Sequence, residues 1–409
     1  MKYLLLRDRV SRSQFLVRTG GALGTLLFGG ALGAASAPCA KAQEGKTLSV
    51  EGFSRNITGA YVPDGTRHLV TSDKPEELSW GFLPNRDAEP ILTIRSGDVV
   101  TMEQISHEGI LEDQGDPREF FPGYGVAEEE ILDDQLMVYE EVEHEGEGPH
   151  VVTGPVAVEG AQPGDWLEVR CLGIEPRVDY GVNSARHGKG SLPDEYPLDG
   201  KDYYGNVIHL DYDRRVGLFP AGDGIEVPLN PFMGIFGVAP DTSEMVNSIP
   251  PENYGGNLDV APLMAPNTTV FYPVQVPGAL IYTSDGHAAQ GNGEVSLTAI
   301  ETSLTPTFQV ILHKEDNLEE EAIPVMNNPW GETEEAYIVT GIDENLDEAM
   351  KEAVRETISF LTQTKNLSGD DAYSLASIGI DFEVSQVVDI NSGIHARIHK
   401  HLFADTRPS

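Results

Sequence analysis

"HVVTGPVAVEGAQPGDWLEVRCLGIEP", residues 150–176, reads as two extended segments joined at Gln162-Pro163-Gly164-Asp165. Alternating apolar and polar positions on either side predict strands, and a Pro-Gly-Asp sequence between them predicts a tight turn. "EPILTIRSGDVVTMEQI" (89–105) follows the same scheme around Ser96-Gly97-Asp98. The two stretches share a turn, a Gly-Asp pair and an alternating strand, an echo too short to be a repeat. Working outward, β patterning runs from about residue 50 to 330, and helical spacing appears only afterwards. "NLDEAMKEAVRETISFLTQT" places Leu346, Met350, Val354, Ile358 and Leu361 on one predicted apolar stripe. Ser368 and Asp371 have the spacing of a helix cap and its partner, and "FEVSQVVDI" (382–390) returns to strand. The expected fold is mainly β: a β-sandwich or barrel-like body over residues 43–335, followed by a C-terminal α/β portion over 336–409.

The chain has 409 residues and a formal net charge of −39. That charge excludes nucleic acid as a partner and disfavours anionic membrane surfaces. It suits a protein kept soluble in high salt, where self-repulsion is screened. Residues 1–42 read as an export signal. Arg7, Arg9, Arg12 and Arg18 precede the apolar, glycine-rich "TGGALGTLLFGGAL", and "AKA" at 40–42 resembles a cleavage site. "SRSQFL" (11–16) resembles a twin-arginine motif with Ser13 in place of the second arginine. The expectation is a periplasmic or extracellular protein without stable membrane insertion. Residues 1–42 contain six basic residues and one acid, so the remainder carries −44. That remainder retains a single cysteine, Cys171, which leaves stability to core packing rather than to disulfides.

Residues 109–148 are rich in acids, and "EEEILDDQLMVYEEV" is read as a helix burying Ile131, Leu132, Met137 and Val138 beneath a solvated acidic face. Signatures of serine hydrolases, zinc proteases, thiol redox proteins and phosphate loops are absent. What remains is three polar stretches rich in glycine. "ISHEGILEDQGDP" (105–117) offers His107, Glu108 and Asp113, "YGGNLDV" (254–260) offers Asp259, and "YTSDGHAAQGNGEVSLTAIETS" (282–303) offers Asp285 and His287. Imidazole nitrogen with carboxylate oxygen is a donor set for a divalent metal, should the fold gather the three segments. Polar turns satisfied within the protein are the alternative. His395, His399 and His401 near the C-terminus are read as a surface segment outside the site.

Several of these stretches together resemble the acetamidase/formamidase family. They are "GPVAVEGAQPGDWLEV" (154–169), "PFMGIFGVAP" (231–240), "GGNLD" (255–259), "PVQVPGALIYTSDGHAAQG" (273–291), "TAIET" (298–302) and "DDAYSLASIGIDFEVSQVVD" (370–389). The resemblance implies hydrolysis of a short linear amide to carboxylate and ammonia, oligomeric assembly, and a divalent metal, zinc before calcium. By the same resemblance Asp259, His287, Gln290, Glu294 and Glu301 occupy motif positions; Asp259 and His287, with His107 from the first polar stretch, are the expected metal residues, and Glu294, Glu301 and Gln290 the catalytic ones. Gly256, Asn257 and Gly286 are expected to bind the substrate. Two positions depart from the family pattern: Tyr254 stands where a histidine is frequent, and Asn292 where an aspartate is. His107 or His150 is the expected substitute for that histidine. A binding protein without catalysis, and a hydrolase of larger or cyclic amides, are the alternatives.

Overall fold

The computed structural model describes residues 65–403, so the stretch read as an export signal lies outside the described residues. Two large sheets carry the fold. The first has nine strands in the order Arg67–Val70, Val99–Met102, Leu304–His313, Trp166–Pro176, Thr268–Pro273, Trp330–Glu332, Ala336–Asp343, Ser392–His399 and Asp381–Gln386. The second has eleven, with Ile281–Ala289 at its centre between Phe232–Gly237, Ile300–Glu301 and Val151–Val158. Val100, Val169, Cys171 and Phe308 of the first sheet share one buried cluster with Val152, Ile235, Phe236 and Ile281 of the second. The body is therefore a β-sandwich. Strands beyond residue 335 continue the first sheet, since Trp330–Glu332 pairs with Ala336–Asp343.

The opening stretch folds as its pattern predicts, into strands Val151–Val158 and Trp166–Pro176. Gly164 makes the turn with φ +97°, and the Gln162 N–H donates to the Asp165 carboxylate at 2.8 Å. The echo is structural too: Gly97 has φ +92°, and the Arg95 N–H donates to Asp98 at 2.9 Å. In both turns glycine takes a conformation costly to other residues, and the aspartate satisfies a backbone donor three residues earlier.

The alternation along Trp166–Pro176 does not separate core from solvent. Leu167, Val169 and Cys171 enter the inter-sheet core, while Trp166 joins a second cluster with Leu318, Phe360 and Leu361. Both faces are covered, so Glu168 and Arg170 are buried as a pair, Arg170 Nε donating to Glu168 Oε1 at 2.6 Å. His313 Nε2 donates to the other Glu168 oxygen at 2.8 Å. Buried charges persist in proteins when compensated in this way.

Among the described residues four α-helices flank the sheets: α1 (Pro117–Gly123), α2 (Asp133–Glu141), α3 (Leu346–Lys365) and α4 (Gly369–Gly379). Ser368 caps α4 by accepting the Asp371 N–H at 3.1 Å, as its spacing predicts. The stripe expected on α3 is displaced. Leu346 and Met350 are exposed, and the buried residues include Ala349, Ala353, Thr357, Phe360 and Leu361. A β-carbon on Gly341 would lie 2.2 Å from the Ala353 nitrogen and 2.3 Å from the Ala349 carbonyl oxygen, so the strand carries no side chain where the α3 backbone meets it. The acidic face expected on α2 is not wholly solvated. Asp134 is buried against Arg177 at 2.7 Å, and Gln135 Nε2 donates to the carbonyls of Ser106 and Glu108 at 3.1 and 3.3 Å. Helix α2 thereby fixes the segment that carries His107.

Candidate metal centre and active site

Strand Ile281–Ala289 is buried along its whole length, and Asp285 and His287, two residues apart, share one face of it. His287 Nε2 lies 2.9 Å from Asp285 Oδ2, 3.3 Å from Glu301 Oε2 and 3.8 Å from Asp259 Oδ1. On the other side of Asp285, its Oδ1 is 3.6 Å from His107 Nδ1 and 3.7 Å from His150 Nε2. The three glycine-rich segments do meet, and His150 joins them.

Asp259, Asp285 and Glu294 all hold left-handed backbone conformations, with φ of +47°, +58° and +46°. Such conformations are unfavourable for residues bearing a β-carbon and persist only where the surroundings enforce them. Beneath the carboxylates lies Gly234, where a β-carbon would come within 2.3 Å of Asp259 Oδ1 and 2.5 Å of Asp285 Oδ2.

Gln290 orients the imidazole. Its Nε2 donates to the carbonyls of Asp259 at 2.9 Å and Ser385 at 3.1 Å, so its Oε1 is the acceptor facing His287 Nδ1 at 2.9 Å. Nδ1 therefore carries a proton, and Nε2 faces the carboxylates. Asp389, from the bend after strand Asp381–Gln386, completes the group; nothing in the local sequence marked it beyond its place at the end of "DFEVSQVVD".

The electrostatics are those of crowded acids. Burial raises Asp259 to about 7 and Glu301 to about 8, and pushes Glu294 and Asp389 well above the usual carboxylate range. Burial also acts on Asp285, but the imidazoles of His287 and His150 outweigh it and hold that carboxyl low. His287 is raised because Glu301 and Asp285 overcome its burial. Burial lowers His107 to about 4 and His150 to about 3, which leaves both rings neutral and able to ligate.

Among the described residues four overlapping donor sets arise: His107, His150 and Asp285; Asp259, Asp285 and His287; His287, Glu294 and Glu301; Asp259, Glu294 and Asp389. Asp259 Oδ1, Asp285 Oδ1 and Asp389 Oδ2 are buried without a hydrogen-bond partner. Orphaned buried carboxylate oxygens are costly, and a divalent cation among them would remove the cost, so the residues fit such an ion.

Other expected residues fall elsewhere. Glu108 and Asp113 are held by Arg186 at 2.8 and 2.6 Å. Tyr254 lies in the inter-sheet core and stands in none of the four sets. Asn292 bonds to Glu383 and ties its loop to the C-terminal strands. Gly286 faces away from the carboxylates, packed against Gln104 and the Thr302 carbonyl. Gly256 and Asn257 pair with Phe236 and Ile235, Gly256 beside Leu83 and Tyr254, and Asn257 Oδ1 is buried without a partner. His395, expected at the surface, is fully buried, with its Nδ1 2.8 Å from Ser385 Oγ, because it lies in an interior strand of the first sheet rather than in a terminal surface segment.

Residues 140–248 and 241–404 match the acetamidase/formamidase family model. A formamidase of Methylophilus methylotrophus is 27% identical over 302 residues, covering 59% of this chain and 74% of that one. An acetamidase of Mycolicibacterium smegmatis is 28% identical over 200 residues, covering 36% and 49% respectively. The chain spans about half the length of two of the curated relatives it matches. The crystal structure of an acetamidase from Bacillus halodurans superposes with a TM-score of 0.65 at 27% identity, covering 83% of this chain and 100% of that one. Matched along most of its described length by the family model, and sharing its fold with a solved acetamidase, the chain belongs to the acetamidase/formamidase family.

Proposed function

We propose that the protein hydrolyses the C–N bond of a linear amide of the formamide or acetamide type, releasing carboxylate and ammonia. The observation that carries this reading is the buried set of acids and imidazoles around His287, in a chain whose relatives are named formamidase and acetamidase. Resonance protects a planar amide, so hydrolysis requires a nucleophile, a partner for the developing oxyanion and a proton for the departing nitrogen.

Asp259, Asp285 and His287, with His107 and His150 beside them, are the residues that would hold a divalent ion, zinc being favoured by the mixed nitrogen and oxygen donors. When bound, such an ion makes water acidic enough to ionise near neutral pH and polarises a carbonyl. Gln290 holds the His287 ring by Nδ1. Glu294, whose carboxyl burial pushes above the usual carboxylate range, is the group assigned to deliver a proton to the leaving nitrogen. Glu301 accepts the Ala299 N–H at 2.8 Å, which fixes its carboxyl beside His287.

Ammonia release from formamide, acetamide and propionamide, measured with zinc supplied and again after chelation, tests the reading. Turnover that falls on chelation and returns with zinc is expected. Absence of release from every amide with metal present would refute it in favour of a binding protein of the same fold. Homo-oligomeric assembly belongs to the same proposal, and a monomeric mass by light scattering would remove that part.

A further inference from the structure

Beside Glu294 lies a cavity of about 450 Å³. Formamide has three heavy atoms and needs roughly 90 Å³, at the ~30 Å³ that each water occupies in the liquid. The wall is mixed: Asn292 and Ser296 lie in it beside the apolar side chains, Asn292 bonded to Glu383 and Ser296 Oγ accepting from Asn183 Nδ2 at 3.3 Å. Ile208, Phe219, Val227, Pro228, Ala289 and Ile300 line the cavity, with Gln290 and Glu294 on the side of the site. Polar neighbours in the wall are already engaged by the protein. Asn183 Nδ2 donates to the carbonyls of Thr298 and Ala299 at 2.9 and 3.2 Å, and Thr298 Oγ1 accepts the Ser184 N–H at 2.8 Å. The outer wall is the hairpin of strands Val216–Leu218 and Glu226–Pro228. A chamber with a continuous apolar face that reaches the Glu294 carboxyl is a binding site for a substituent, not merely a channel for a small polar amide.

We propose that this chamber receives an apolar substituent of the substrate, so that amides bearing a chain or ring of about four to ten carbons are bound in preference to formamide. The proposal rests on the amidase reading of the same site. Each methylene buried contributes about a fourfold gain, so hexanamide should exceed acetamide on the order of 100-fold.

The test pairs calorimetric affinity with hydrolysis rates for formamide, acetamide, butyramide, hexanamide and N-pentylformamide. A graded rise in affinity with chain length is expected. Hexanamide and N-pentylformamide carry their chains on opposite sides of the amide, so the one that gains shows which side enters the chamber. Val227→Trp, which fills the outer wall, should lower the ratio of hexanamide to acetamide affinity at least tenfold. Hydrolysis with affinities that stay flat along the series overturns the chamber and leaves the amidase standing. Graded affinity without hydrolysis of any amide keeps the chamber and overturns the amidase.

Discussion

Replacing Gly234 by alanine adds one methyl group at the floor of the carboxylate cluster. Gly234 lies in strand Phe232–Gly237 and is not among the glycines with positive φ, so alanine strains no backbone there. The methyl meets three site atoms instead: Asp259 Oδ1 at 2.3 Å, Asp285 Oδ2 at 2.5 Å and His287 Cε1 at 2.9 Å. Ordinary contact begins at 3.4 Å, so the two oxygens must retreat by about 1 Å each. Metal sites tolerate deviations of about 0.2 Å in ligand position, so the shift is several times what a bound ion accepts. A displacement of ~1 Å at reacting groups costs about 100-fold in rate. The expected outcome for Gly234→Ala is bound zinc well below the wild-type stoichiometry and ammonia release reduced about 100-fold. Circular dichroism should still show a folded β protein. Mass-spectrometric metal analysis and an ammonia assay read both quantities on one preparation. Wild-type metal content together with wild-type turnover would refute the placement of the site over this glycine.

Further outcomes follow from the same structure. His287→Ala and Asp259→Ala should each abolish turnover and lower bound metal in a chain that stays folded. Glu294→Gln should keep its metal while the rate falls about 100-fold, as expected when a proton carrier is lost; unchanged rates would dismiss Glu294 from that role. With −44 outside residues 1–42, the melting temperature should rise as salt increases from tens of millimolar toward molar, and a flat trend would show that self-repulsion is not limiting. For His313, burial opposes the charge, but the hydrogen bonds its ring donates to Glu168 and Glu321 overcome it and raise the pKa above 6.5. The folded state then holds the proton more tightly than the unfolded one. This stabilisation is complete below pH 6.5 and is lost as pH rises through the elevated folded value. His313→Asn should flatten the decline in melting temperature above pH 6.5, and an unaltered slope would count against the ion pair.

The strands around 150–176 were legible because alternation and a Pro-Gly-Asp turn are local properties. Which face met solvent was not, because the layer covering Glu168 and Arg170 comes from residues beyond 310. The α3 stripe was misplaced for a related reason: large side chains suggest a buried face, but the helix backbone at Ala349 and Ala353 packs directly on Gly341 and buries those alanines instead. In the site, Asp285 and His287 were readable as donors by residue type in a glycine-rich stretch, whereas their shared face on a strand depends on neighbours that the local sequence does not name. Asp389 carries no such mark, because its partners Asp259 and Glu294 are neighbours in space and distant in sequence.

The late position of Asp389 affects how the protein comes into being. During synthesis, His107, His150, Asp259 and His287 all leave the ribosome well before the last strands do. Until those strands emerge, the Ser385 carbonyl is missing from both Gln290 and the Gly293 N–H, so the loop bearing Glu294 lacks its anchor. A nascent or C-terminally clipped chain therefore owns most of its donors without owning the centre. Loss of the final strands would remove Asp389 and the Ser385 anchor from a molecule whose remaining donors are all intact.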